Sequence, residues 1–340
     1  YGKVNLRRKR IKDLLDDEGA FPSLTEDGEK VTFFANADTA EEISKARDHG
    51  CEGIGLFRSE SIFLRKNEIP SENDQYEEYR EAVIAANSLP VTIRTLDLGG
   101  DKILDSIGRE KEENPFMGFR AIRYCLRNPD VFLDQLRAIL RASAHGTVKI
   151  MFPMVSGIGE LVRAKEFLST AKRQLREMDV PFDEDIQVGC MIETPSAVVI
   201  SDMLASEVDF FSVGTNDLVQ YLLAVDRINN EIAYLYEPHH PAVIRSLAHV
   251  FQVAKDKNVE VSVCGEIAGD PHFLPLLLAL GVRCLSTVSP MIPELKFFAR
   301  RFSMADAGGL WEGIEQMKRP SEINQSLKNF YDERVSELIT

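Results

Sequence analysis

Two acidic residues follow neighbouring apolar runs within residues 187–221, QVGCMIETPSAVVISDMLASEVDFFSVGTNDLVQY. The run 188–192 stops on Glu193, and the run 210–213 stops at Gly214, Thr215, Asn216 and Asp217. Between them Pro195 suits the first turn of a helix, whose apolar positions would be Ala197, Val198, Ile200 and Leu204. A strand, a crossover helix and a parallel strand place both strand ends at one mouth of a sheet. Side by side there, two carboxylates suit Mg²⁺, or Mn²⁺, a hard cation that takes oxygen ligands and keeps positions open for substrate. Apart, they are two solvated loop acids.

The other apolar runs end on chemistry of a complementary kind. One ends in Arg58, followed by Ser59 and Glu60; another holds Arg94 and Asp97, followed by Gly99, Gly100, Asp101 and Lys102. Arg120 falls a turn and a half into a helix that Asn114 and Pro115 would start, and Asp226 and Arg227 follow the Asp217 segment. Guanidinium forks match phosphate and carboxylate oxygens two at a time, so Arg58, Arg94, Arg120 and Arg227 together suit a phosphorylated acid. Singly, each is an ordinary surface charge. Arg94 is harder to read that way, because it stands between Ile93 and Leu96, and a charge buried in a strand needs an anionic partner. Lys102 can reach the same mouth as a point charge. Cys264, followed by Gly265 and Glu266, ends a further run. It reads either as a small core residue or, with an unperturbed thiol protonated at neutral pH, as a proton donor. His239 and His240, before Pro241, read as loop residues.

Positioning these groups takes a large scaffold, and 340 residues allow one α/β domain with flanking pieces. An apolar fraction of 44% and a charged fraction of 28% describe a globular chain, and the net charge of −14 argues against nucleic acid or an anionic membrane as partner. The longest apolar run, 273–282, is too short to span a bilayer, and no charged-then-apolar leader opens the chain. The five cysteines have no paired spacing, as expected of a reduced, cytoplasmic protein. Beginning at Tyr1, the sequence reads as a fragment of a longer protein.

Strand-like runs recur at 31–36, 53–58, 91–97, 149–154, 187–193, 210–217, 261–266 and 284–288. Helical patterns fall at 38–49, 71–87, 115–127, 129–145, 157–177, 195–206, 240–257, 271–280 and 291–302. Eight strands alternating with helices predict a (β/α)₈ TIM barrel, with its chemistry at the C-terminal strand ends. A doubly wound open sheet is the alternative, although no glycine-rich nucleotide turn follows the first strand. The expected divisions are a connecting helix and linker over 1–24, the barrel over 25–302, and a helical extension over 303–340. In that extension Ile323, Leu327, Phe330, Tyr331, Val335 and Leu338 share one helical face.

GIGLFRSE, TLDLGGDK, ENPFMGFRAIR, IMFPMVS, MIETPSA, DFFSVGTNDLVQY, AVDR and VCGEIAGD, in this order, resemble the C-terminal phosphoenolpyruvate-binding domain of the enzyme I family. These are the phosphoenolpyruvate–protein phosphotransferases that start the bacterial sugar phosphotransferase system. Pyruvate phosphate dikinase and phosphoenolpyruvate synthase share the barrel and many motifs, and stand as the alternative. The resemblance implies Mg²⁺ on Glu193 and Asp217, and a phosphoryl group held by Arg58, Arg94, Arg227 and the Asn216 region. It also implies a substrate oriented by Arg120 and Lys102, with Cys264 protonating the enolate carbon to release pyruvate. It implies a homodimer and transfer to a histidine on a separate N-terminal domain, which passes the group to a small phosphocarrier protein. None of the six histidines here lies in a matching segment. The family often has Gly where this chain has Ile228. A regulatory module that senses phosphoenolpyruvate without turnover is the rival of another class, and Cys264 argues against it.

Overall fold

Val, Ile, Phe and Met dominate the eight runs, and side chains of that kind favour strands buried on both faces. The computed structural model describes residues 18–66, 69–98 and 112–335. In it the runs form β1 (Thr32–Ala37), β2 (Ile54–Arg58), β3 (Val91–Arg94), β4 (Val148–Phe152), β5 (Gln187–Ile192), β6 (Phe210–Gly214), β7 (Glu260–Cys264) and β8 (Cys284–Val288). Each strand pairs in parallel with the next, and β8 closes onto β1. The fold is therefore a (β/α)₈ barrel. Outward side chains such as Phe57, Ile93, Phe152, Phe211 and Leu285 are buried in the main apolar core with the helices. A second buried cluster joins Leu56, Met151, Met191, Phe210 and Cys264.

Several helices start where the sequence supplies a cap. Thr39 accepts from the Glu42 N–H, Ser71 forms a capping box with Asp74, and Thr194 accepts from Ala197 ahead of a helix that begins with Pro195. His240 is one of these caps, its Nδ1 accepting from the Ala242 N–H, which agrees with the loop reading. Beyond the barrel, helices Met304–Ile314 and Pro320–Val335 pack through Ile314, Ile323, Leu327 and Phe330, so the helical extension is present.

Some boundaries differ from the sequence expectation. β3 ends at Arg94, short of Asp97, and β6 ends at Gly214, where helix Thr215–Leu223 starts at once. Asn216 and Asp217 therefore sit in the first turn of a helix, where an acid complements the positive end of the helix dipole. The helix expected over 115–127 is a 3₁₀ turn, Pro115–Met117, followed by Ala121–Arg127, because Gly118 leaves the helical conformation between them. Arg120 is thus the residue before the helix, not one inside it. The expected helix at 195–206 is interrupted at Ile200, and helix Glu60–Lys66 follows β2 almost without a loop. Residues 1–17 of the expected connecting helix and linker, residues 99–102, with Lys102, and Leu338 of the extension lie outside the described residues.

Candidate active site

Because the strands are parallel, their C-terminal ends meet at one mouth, and a cavity of about 760 Å³ opens there. Arg58, Arg94, Arg120, Glu193, Asn216, Asp217, Arg227 and Cys264 all line it. Every site residue anticipated from the sequence and lying among the described residues is in this one cavity. Strand register does part of the work: Arg58 stands opposite Arg94 across β2 and β3, and Gly214 stands opposite Cys264 across β6 and β7.

Buried arginines need counterions, and the strand ends supply them. Arg94 Nη2 lies 3.0 Å from Glu60 Oε1, and Nη1 lies 2.9 Å from Asp97 Oδ2. Arg120 Nη2 bridges Asp97 Oδ1 at 2.8 Å and Asp217 Oδ2 at 3.1 Å, while Nη1 donates to the Tyr221 hydroxyl at 3.2 Å. Burial alone would lower both guanidinium pKa values; the acids around them reverse this and hold them charged. Among the described residues Arg94 Nε is buried without a partner, a donor that an anion could satisfy. Arg227 is more open, with Nη2 3.8 Å from Asp217 Oδ1.

Glu193 comes directly after β5, and its Oε1 accepts from the Met154 N–H at 2.6 Å. Burial, and then the negative charges of Asp217 and Asp97, push its carboxyl up to about 8, with Arg94 opposing. Gly214 leaves room for it, since a Cβ there would fall 2.7 Å from Glu193 Oε2. At the end of β7, burial pushes the Cys264 thiol up to about 11, eased by Ser212, so the sulfur carries its proton at neutral pH. The Ser212 hydroxyl donates to Sγ at 3.4 Å, and the thiol donates to the Val213 carbonyl at 3.5 Å. Gly265 then takes φ +99°, and a side chain there would strike Asn216 Oδ1, which accepts from the Glu266 N–H at 2.9 Å.

The supports beneath the mouth were not anticipated. Gln135, buried behind β2 and β3, donates to Ser59 Oγ at 3.2 Å and accepts from the Leu96 N–H at 2.9 Å. Ser59 in turn donates to the Arg94 carbonyl at 2.9 Å, which ties the two arginine-bearing strand ends together. Tyr221 donates to the Phe116 carbonyl and so links Arg120 to the 3₁₀ turn. Tyr221 stands four residues after Asp217, on the same helix face, a spacing that could have pointed to it. Tyr236, donating to the Asn216 carbonyl at 3.3 Å, carries no such signal.

The eight-stranded parallel barrel thus carries paired arginines, crowded carboxylates and a protonated thiol at its C-terminal mouth. The chain belongs to the PEP-utilising enzyme family, whose PEP-binding domain it matches over residues 12–304. A phosphoenolpyruvate-protein phosphotransferase of Geobacillus stearothermophilus is 41% identical over 309 residues, covering 91% of this chain and 54% of that protein. One from Haemophilus influenzae is 42% identical over 94% of this chain and 55% of its own. One from Cupriavidus necator is 45% identical over 82% and 47%. The chain thus spans about half the length of the curated relatives it matches. Among solved structures, a citrate lyase from Burkholderia xenovorans aligns over 93% of this chain and 95% of its own at a TM-score of 0.51. Its 12% identity speaks to the fold alone. No helix among the described residues is long and apolar enough to cross a membrane.

Proposed function

We propose that this chain binds phosphoenolpyruvate with Mg²⁺ and catalyses transfer of its phosphoryl group to a histidine on a separate N-terminal domain, releasing pyruvate as the first step of the sugar phosphotransferase system. The observation that carries the reading is the convergence of four arginines, two candidate metal carboxylates and a protonated thiol in one cavity. Arg58, Arg94 and Arg227, with Asn216, surround the phosphoryl group; Arg120 orients the rest of the substrate, and Lys102 is assigned the same task. This reading assigns the acceptor histidine to another domain, and among the described residues no histidine lines the cavity. Passing the group on to a small phosphocarrier protein is part of the same reading. So are a homodimer, a cytoplasmic setting, which five free cysteines support, and the division at 24/25 and 302/303.

The donor set fits Mg²⁺. Glu193 and Asp217 offer carboxylate oxygens, and burial, with the charges of Asp217 and Asp97, raises the Glu193 carboxyl until a cation relieves it. Among the described residues no group of three or more His, Cys, Asp or Glu is placed to hold a metal alone. An ion here would draw its remaining ligands from water and substrate, as Mg²⁺ commonly does. When bound it would neutralise charge on the substrate oxygens as the phosphoryl group departs.

The protein's own groups do the rest. The arginines hold the phosphoryl oxygens while the enol oxygen–phosphorus bond breaks and a bond to the imidazole nitrogen forms in line. The electron pair left on the enol fragment moves to its methylene carbon, which takes the Cys264 proton, and the thiolate is reprotonated from solvent. The Ser212 hydroxyl, already donating to Sγ, stabilises the sulfur while it is negative.

The test is pyruvate release by the 340-residue chain with phosphoenolpyruvate and Mg²⁺, with and without a phosphohistidine domain added in trans. The chain is expected to bind the substrate and release little pyruvate alone, and to turn over when the acceptor is added, limited by the lost tether. Rapid release by the chain alone would refute the reading and indicate a hydrolase.

A further inference from the structure

The arginines lining the cavity already have acidic neighbours. Arg94 and Arg120 are each shared between two carboxylates, with side chains 12% and 10% exposed. The pair at Arg58 is of another kind. Its Nη1 meets Asp38 Oδ1 at 3.0 Å and Oδ2 at 3.4 Å, so one nitrogen makes both contacts and the stronger two-nitrogen fork is not formed. These side chains are 38% and 36% exposed. Asp38 is nonetheless fixed, because its N–H donates to Glu42 Oε2 at 2.7 Å and its carbonyl accepts from Ser61 Oγ at 3.0 Å. Burial raises its carboxyl pKa against the pull of Arg58.

We propose that Asp38 is a positioning residue that acts through Arg58, occupying the guanidinium as an internal counter-anion until a phosphoryl group displaces it. The inference rests on the assignment of Arg58 to the phosphoryl end of the substrate. A phosphoryl group brings nearly two charges and three acceptor oxygens to a guanidinium that Asp38 holds with one charge through one nitrogen. The doubly held Arg94 and Arg120 form the fixed part of the site. Arg227 makes no hydrogen bond to Asp217, at 3.8 Å, so among the cavity's hydrogen-bonded arginine–carboxylate pairs the half-exposed Arg58 pair opens at least cost, and its closure as the phosphoryl group leaves keeps Arg58 from retaining it. Asp38 therefore lowers affinity for the phosphoryl end.

The test reads affinity for inorganic phosphate and for phosphoenolpyruvate by titration calorimetry. Asp38→Asn keeps the size and the backbone bonds while removing the charge. It is expected to bind both ligands about two- to five-fold more tightly, the scale of a half-exposed ion pair. Glu266→Gln removes one charge from the same cavity wall without touching Arg58, and a clearly smaller gain is expected. Unchanged or weaker binding in Asp38→Asn, or an equal gain in Glu266→Gln, would overturn the proposal. Arg58→Met should weaken phosphate binding at least tenfold. If it does not, the phosphoryl assignment fails and the role of Asp38 fails with it; if it does while Asp38→Asn changes nothing, the role of Asp38 alone fails.

Discussion

Magnesium binding by the free protein is expected to release a proton and to strengthen steeply with pH. A cation binds the ionised form of Glu193, whose carboxyl is raised to about 8, first by burial and then by Asp217 and Asp97. Below that value the metal must displace a proton, so affinity is lost as pH falls; above it the carboxylate is already free and the dependence flattens. With a pKa of about 8, roughly one molecule in a hundred has this group ionised at pH 6 and about half at pH 8, which makes the apparent affinity about 50-fold higher at pH 8. A carboxyl at its ordinary value of about 4.3 would give almost no change over that range. Titration calorimetry with Mg²⁺ alone, at pH 7 in buffers of different ionisation heat, should count roughly 0.9 protons released per ion bound. Glu193→Gln should abolish both the binding and the proton. Constant affinity from pH 6 to 8 without proton release would refute the argument from burial and neighbouring charge, and unaltered Mg²⁺ binding in Glu193→Gln would refute the choice of ligand.

Cys264→Ala should leave phosphoenolpyruvate binding intact and slow pyruvate formation, in the presence of the acceptor domain, by about 10²- to 10⁴-fold, the usual contribution of a positioned general acid. Unchanged turnover would return Cys264 to the buried cluster as a packing residue. Tyr221→Phe removes the hydroxyl that joins Arg120 to the Phe116 carbonyl, and should weaken phosphoenolpyruvate binding by about tenfold, the loss of one hydrogen bond to a charged group, with Mg²⁺ binding spared. Equal losses of both would point to general loosening of the site.

The barrel was legible because its strands are buried on both faces and so appear as unbroken apolar runs. Each of the eight was located to within a few residues, and the misplaced ends share a cause. The polar residues just after an apolar run look the same whether they extend the strand or begin a helix. At Thr215 the chain turns into a helix at once, and after Arg94 the Leu96 and Asp97 N–H groups donate to the Gln135 and Glu60 side chains. Helix Glu60–Lys66 was hidden by its nearness to β2. Helix Met304–Ile314 fell within the expected helical extension but without bounds of its own, because Gly308, Gly309 and Gly313 are poor helix formers; packing of Ala307 and Ile314 with the Ser303–Asp306 capping box outweighs them.

The chemistry-bearing residues were legible by a single rule, that a barrel's chemistry stands at its C-terminal strand ends. Their counterions were not. Arg120 meets Asp217, 97 residues away in sequence, and Arg58 meets Asp38, 20 residues away, because the parallel strands bring their C-terminal ends together at one mouth. Two arginines opposite one another on β2 and β3 repel, and a charge taken out of water is costly until it is paired. A site built to receive a phosphorylated acid must therefore carry acids of its own to stand before the substrate arrives. Glu60, Asp97 and Asp38 meet that need. Those held in shared, buried pairs fix the geometry, whereas the one held loosely has to give way, so the exposure of each pair separates scaffold from exchangeable partner. That distinction depends on contact geometry and solvent access, neither of which is written in the order of the residues.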